Sequence, residues 1–315
     1  MKKTLLLITF LLFCTLTFGQ NSTDLRLNPE KNKVYRLRSA TEQTIVQTVN
    51  GNQQTIESET SYTISLKMVD ATAAFIVAEV RFDTIATKTN TMGKISTMSS
   101  ALEGNIKSEE TSDVMSYAMN RMSKNPVYAK IDFTGKVTEI VNGKMLANMI
   151  LKDTSEITLA DPAGSALKNQ IANMVSDNSL KTIIEMFTYN LPGKTVGSGD
   201  KWSFTTSINA GGMSLEITTS YKLDGISGNN ANITAESNIA PSANAAPMQS
   251  GGATITYDDL KGLSKSTIII DKVTGLAVES SSKTHITGNL GVSVPGMNMQ
   301  IPMDINSNSK ITSIQ

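Results

Sequence analysis

Strict alternation of apolar and polar side chains runs through two long stretches of this chain and constrains its fold more than any other feature. In residues 33–99, Val34, Arg36 and Arg38 fall on one face while Tyr35 and Leu37 fall on the other, and Tyr62, Ile64, Leu66 and Met68 repeat the pattern. A period of two marks half-buried strands with one face toward a core. Thr44–Val49, Asn50-Gly51 and Gln54–Thr60 read as a hairpin, because Asn-Gly accepts the positive φ that a type I′ turn demands. Ala73–Phe82 is more apolar and is expected deeper in the sheet. After Gly193 the alternation returns, and Trp202-Ser203-Phe204, Leu215–Leu223, Asn232–Glu236, Ala253–Tyr257, Ser266–Asp271, Leu276–Ile286 and a C-terminal pair around Pro295-Gly296 read as short strands. Ala240–Gly252, rich in Pro, Ala, Ser and Gly, reads as a loop.

Between these stretches the period changes. Val114, Met115, Ala118, Met119 and Met122 form a helical stripe within 109–124, stopped before Asn125-Pro126. Strand signals return from Val127 to Phe133 and from Val137 to Val141 around Thr134-Gly135. A helical region then follows Asn142-Gly143, with stripes Met145-Leu146-Met149-Ile150, Leu167-Ile171-Met174-Val175 and Leu180-Ile183-Ile184-Phe187, ended by Leu191-Pro192-Gly193. The expected organisation is a first β half (20–142), a helical insert (143–191) and a second β half (192–315). The fold class is mainly β (α+β): two related antiparallel halves, as curved sheets or a sandwich-like pair, with the insert packed on them. The halves echo one another, each opening on an aromatic strand (Tyr35; Trp202), continuing on a Tyr-led strand (Tyr62; Tyr221) and closing on an Asp-to-Thr-Gly turn (Asp132–Gly135; Asp271–Gly275).

The N-terminus reads as a signal peptide over residues 1–19. Lys2 and Lys3 precede the uncharged run Thr4–Phe18, and Phe18-Gly19-Gln20 supplies a small residue for cleavage before Gln20. The run is shorter than the ~20 apolar residues of a membrane span, and no later segment approaches that length. Phe13 before Cys14 departs from the small residue of a lipoprotein signal. Cleavage removes the one cysteine, so the mature chain is expected in the periplasm, on the outer-membrane surface or outside the cell, with no disulfide and no thiolate site.

The order of these pieces resembles a family of secreted Bacteroidota proteins catalogued as a domain of unknown function. The resemblance rests on Phe18-Gly19-Gln20, the Asn50-Gly51 hairpin, Leu191-Pro192-Gly193 followed by Gly199-Asp200-Lys201-Trp202, and the Asp271–Gly275 turn with Leu276, and it covers nearly the whole mature chain. It implies an exported, mostly β protein and brings no catalytic residues with it.

Several chemistries are excluded by inventory. With 28 basic against 28 acidic residues there is no basic face for nucleic acid. His285, the one imidazole, lies in an alternating strand with Lys283 and Thr287, and no Gly-x-Ser-x-Gly elbow accompanies it. Zinc sites built from several His or Cys are excluded. Asp258-Asp259 would point to opposite faces of a strand, and Glu109-Glu110 suit a first helical turn, so neither pair reads as catalytic. Met297, Met299 and Met303 read as packing rather than a copper site, and Asp83-Thr84-Ile85 as a strand end despite its likeness to an O-glycosylation acceptor at Thr84. No catalytic, metal or cofactor site is expected, and no enzyme. Two readings remain. One is a binding module whose cavity for a lipid or other apolar or amphiphilic ligand is lined by Met145, Met149, Met174, Ile183 and Met186. The other is a structural protein of the cell envelope that contacts other proteins or glycans without a small ligand.

Overall fold

A computed structural model describes residues 22–49, 51–210, 213–243, 245, 247–250, 253–294 and 296–314. The signal-peptide reading, Cys14 and Asn50 lie outside the described residues. The strands are β1 (Thr23–Leu25), β2 (Val34–Val49), β3 (Asn52–Ala71), β4 (Phe75–Thr91), β5 (Lys94–Ser99), β6 (Val127–Asp132), β7 (Val137–Ile140), β8 (Lys194–Val196), β9 (Lys201–Ala210), β10 (Met213–Ser227), β11 (Asn230–Pro241), β12 (Met248–Ser250), β13 (Ala253–Asp271), β14 (Ala277–Val294) and β15 (Met297–Ile314). The helices are α1 (Thr111–Ser123), α2 (Gly143–Leu151), α3 (Ala163–Met174) and α4 (Asp177–Thr188).

Thirteen strands form one antiparallel sheet in the order β7-β6-β4-β3-β2-β15-β14-β13-β11-β10-β9, with β5 beside β4 and β12 beside β13. The curved-sheet form of the expectation therefore holds, and the sandwich-like form does not: β15 pairs with both β14 and β2 and welds the halves into a single sheet. Both halves are meanders of the same strand order, β2-β3-β4-β6-β7 and β9-β10-β11-β13-β14.

The strands are longer than the sequence suggested. Ala253–Tyr257 and Ser266–Asp271, read as two strands, are one 19-residue strand, β13. Between them lies a β-bulge: Asp259 takes φ 50°, the register slips between Asp258 and Lys261, and pairing with β14 resumes.

The sheet curls strongly. Its edge strands β7 and β9 are ten strand spacings apart, about 48 Å if the sheet were flat. Both nevertheless meet the end of α4. Val137 N donates to Glu185 Oε1 at 2.8 Å, Thr188 Oγ1 to the Gly135 carbonyl at 2.6 Å, and Trp202 Nε1 to the Asn190 carbonyl at 3.2 Å. The edges do not pair with each other, so the sheet is not closed into a barrel. Helices and the inward faces of both halves share one hydrophobic core, including Leu37, Ile64, Phe82, Val114, Ile171, Ile184, Phe187, Tyr221 and Ile270.

One end of the rolled sheet is sealed by the chain's own N-terminal segment. Leu27 N donates to the Phe133 carbonyl (2.9 Å), Asn28 N to the Thr274 carbonyl (2.8 Å), and β1 pairs with β8. The two Asp-Thr-Gly turns thus grip residues 27–28, one from each half. Asp132 Oδ1 accepts from Thr134 N and Asp271 Oδ1 from Val273 N, both at 2.8 Å. Glycine is required at Gly275, where φ is +73° and a Cβ would lie 2.3 Å from the Arg26 carbonyl oxygen.

Candidate functional site

Register places the strand residues on one of two faces, and among described side chains charge separates between them with one exception. The outward face carries ion pairs, among them Lys67–Glu79 (2.9 Å), Arg81–Glu79 (2.8 Å), Arg36–Asp83 (3.2 Å), Lys130–Glu139 (2.6 Å) and Lys310–Glu279 (2.8 Å). Hydrogen bonding to Lys67 holds the Glu79 carboxyl below its usual range, against the opposing effect of burial. Across β2–β6, β9–β11 and β13–β15, the one charged residue at an inward position is Lys94, at a hairpin tip, among the residues whose side chains are described. A charged outward face differs from the apolar outer band that a membrane-embedded barrel presents to lipid.

The inward face has three tiers. The lowest, next to the sealed end, is aliphatic and aromatic, and the helices cover it. Above it lies a belt of hydroxyls that crosses the sheet. Thr41 and Ser309 bond through their side chains at 2.9 Å, Ser264 and Ser282 at 2.9 Å, Thr219 and Ser237 at 2.8 Å, and Thr284 donates to Ser264 at 2.8 Å. Thr60 and Thr87 extend the belt toward the first half at 3.5 Å. The upper tier is aliphatic again on the second half and on β2. Ile45, Ile305 and Ile286 are cross-strand neighbours in one row, and Ile239 with Ile217 continue that row beyond Gly262. Ile301, Met303, Leu290, Tyr257 and Leu260 occupy the same face nearer the open end, and Leu215, Ile239 and Leu260 form a small second cluster. No helix residue belongs to that cluster.

Where the covered and open tiers meet, α4 contributes Met186, 36% exposed, whose sulfur accepts from Ser39 Oγ at 3.6 Å. Beside β9 an aromatic cluster fills the space between α4 and the sheet edge: Tyr189 and Phe204 (ring centroids 4.6 Å apart), Trp202 stacked on Tyr221 (5.5 Å), and Phe204 edge-on to Tyr221. Burial pushes the Tyr221 phenol up to about 12. The five residues expected to line a cavity scatter over this region. Met145 is 67% exposed, Met149, Met174 and Ile183 pack half-buried against the lower core, and Met186 alone borders the open tier.

Two grooves lie at the sealed end and include none of those five. One, of about 560 Å³, is lined by residues such as Asn28, Lys31, Tyr35, Met68 and Val273, and the other, of about 300 Å³, by Thr23, Asp24, Arg26, Asn28, Lys272 and Val273. Several of their charges are already paired, Lys31 with Asp70 at 3.2 Å and Arg26 with Asp24 at 2.9 Å.

Among the described residues no three His, Cys, Asp or Glu side chains gather as metal ligands. His285 is on the outward face, 2.8 Å from Asp304. Glu109 and Glu110 are exposed, Glu110 as the residue before α1. Asp259 is exposed at the bulge. Met299 and Met303 belong to the inward row of β15, alternating with Ile301 and Ile305, while Met297 is half exposed at the strand start. Thr84 lies on the outward face beside Asp83, which binds Arg36 and Ser65. The hydroxyl belt and the aliphatic rows were not singled out from the sequence. The segregation of charge to one strand parity was the signal that could have found them.

The chain is similar to a family described as a family of unknown function, DUF6263, over residues 73–277, and it belongs to that family. No curated protein matches. Three solved structures are similar at low identity. Lipovitellin, described for its lipid–protein interactions, gives 10% identity and a TM-score of 0.45 over 91% of this chain. This chain spans only 25% of the lipovitellin chain. An outer membrane channel from Pseudomonas putida F1 gives 8% identity and a TM-score of 0.27, covering 92% of this chain and 98% of that one. OpdR of Pseudomonas aeruginosa gives 6% identity and a TM-score of 0.23, covering 92% of this chain and 99% of that one. No helix among the described residues is long and apolar enough to cross a membrane.

Proposed function

We propose that this member of DUF6263 is an exported, non-enzymatic binding module that holds an apolar or amphiphilic molecule in the upper part of its curved sheet. The observation that carries the reading is an inward face that stays apolar above the hydroxyl belt and beyond the helices, where Ile45, Ile286 and Leu290 are half-buried around Ile301 and Ile305, which their neighbours on the sheet bury. The part of this concave face that is still exposed favours an occupant, because filling it removes that surface from water at about 25 cal/mol per Å². The flexible side chains of Met186, Met299 and Met303 suit an occupant of variable shape. Export is supported by the order of Lys2-Lys3, the uncharged run and Phe18-Gly19-Gln20.

The test is uptake of Nile red, an uncharged apolar dye whose emission shifts to the blue on leaving water. Wild-type protein is expected to bind it saturably, and Ile286→Asp, at a half-buried position, to abolish binding while the β circular-dichroism signal persists. Absence of uptake by the wild type, or uptake unchanged in Ile286→Asp, overturns the reading in favour of a structural envelope protein.

A further inference from the structure

We infer that the trough selects an uncharged amphiphile whose polar end carries hydroxyl groups, in preference to a fatty acid or a phospholipid. The inference rests on the binding reading above and narrows it to one ligand chemistry.

Two features of the inward face carry it. The first is electrostatic. From the hydroxyl belt up to the hairpins, the inward positions with described side chains hold one cation, Lys94, and it stands at the tip of the hairpin on the far side of the sheet from the aliphatic rows. A carboxylate or phosphate drawn down beside Ile305 and Ser307 would lose water without meeting a positive charge. A neutral head loses far less.

The second feature is the hydrogen-bond inventory of the belt. Each Ser or Thr hydroxyl has one proton to give and two lone pairs to offer. In the pairs Thr41–Ser309, Thr219–Ser237 and Ser264–Ser282, and in the Thr284 to Ser264 bond, four of the seven hydroxyl protons are engaged, while most of the lone pairs remain. A belt in this state accepts more readily than it donates. Hydroxyl groups of a ligand can give protons to those lone pairs and also accept the few protons left over. An anionic head brings only acceptors, and can use only those few remaining protons. The belt also lies on the same strand faces as the aliphatic tier: Ser307 and Ile305 are successive inward residues of β15, as are Thr284 and Ile286 of β14. Polar and apolar parts of one molecule can therefore be met along the same two strands.

Competition against bound Nile red tests this on the full mature chain at pH 8, with dodecyl maltoside and dodecanoate each held below its micellar range. The maltoside is expected to displace the dye at a concentration lower by about tenfold or more, equivalent to about 1.4 kcal/mol. Ser307→Ala combined with Thr284→Val should weaken the maltoside and leave Nile red affinity unchanged, because the dye carries no hydroxyl. Met303→Lys, at a half-buried position of the same face, supplies the missing cation and should shift preference toward dodecanoate. Equal or tighter binding of dodecanoate by the wild type, with Nile red bound normally, overturns the selectivity and leaves the binding reading standing. Failure of Nile red to bind at all removes both.

Discussion

The lower and upper parts of the inward face are made by the same strands with the same alternation, yet one is core and the other is a trough. Ile64 and Phe82 are fully buried beneath the helices, whereas Ile56 and Ile286, farther along the same sheet, are half-buried, and there Leu260, Ile301 and Ile305 are buried by neighbouring strand side chains alone. The difference is one of length. β3 has 20 residues, about 68 Å of strand, and α4 has 12, about 18 Å of helix. A helix of that length spans about a quarter of such a strand. Alternation thus fixes which way a side chain points, and the length of the insert fixes whether a helix meets it there.

The largest expected effect tests that division directly. Ile184→Asp places an unpaired charge where the native side chain has no exposure, and should cost on the order of 4 kcal/mol or unfold the protein. Met303→Asp makes the same chemical change in the upper tier and should cost less than about 1 kcal/mol. Urea denaturation measures both, and equal costs would mean that the upper tier is core.

Glycines at the two ends should differ next. Gly275→Ala forces a side chain into a left-handed conformation and against the Arg26 carbonyl oxygen, so it should cost about 2–4 kcal/mol. Gly51, with φ +79°, meets nothing within 4 Å. Its replacement by Ala should cost only the backbone strain, about 1 kcal/mol. A larger loss at Gly51 than at Gly275 would show that the open end, not the sealed one, holds the roll together.

Tyrosine ionisation separates the tiers by pH. Tyr221 is raised to about 12 in the folded protein by burial, while the unfolded chain ionises near the ordinary value of 10.0. Unfolding therefore releases this proton more easily than the native state does. Stability should be complete below about pH 10, fall by roughly 2–3 kcal/mol as pH rises to about 12, and fall no further from this group. Tyr221→Phe should flatten that decline. Tyr257, half-buried in the upper tier and raised by the same cause, should matter less. Denaturation midpoints between pH 9 and 12 that do not respond to Tyr221→Phe would contradict the burial assigned to it.

Much of this arrangement could be read from the residues. The helical stripes landed on α1, α3 and α4, and their buried members Met122, Leu167, Ile171, Leu180, Ile184 and Phe187 are the ones the period selects. The Asp-Thr-Gly turns formed as their chemistry requires. Two features escaped. Asp258-Asp259 and Gly262 have turn-like composition, and only tertiary pairing with β14 shows that the chain passes straight through them as a bulged strand. The β15–β2 ladder joins Ile305 to Ile45, residues 260 positions apart, and no local pattern encodes that partnership. The trough follows from that ladder and from the mismatch of helix and strand lengths. For that reason the helical pattern points to Met145 and Met174 and not to the apolar rows, which are spread over six strands.

The smallest expected effect lies in the hydroxyl belt, at the boundary between the tiers. Thr41 and Ser309 are cross-strand partners, both half-buried, with their oxygens 2.9 Å apart. A bond of this kind between partly solvated hydroxyls is worth about 0.2–1 kcal/mol net, because each oxygen exchanges it for water on unfolding. Thr41→Val and Ser309→Ala should each change stability by less than about 1 kcal/mol. A double-mutant cycle should return a coupling of about 0.5 kcal/mol. A coupling above about 1.5 kcal/mol would indicate that water does not reach the belt in the free protein. The belt would then belong to the core, the covered tier would extend past it, and the trough would begin only at the row of Ile45, Ile305 and Ile286.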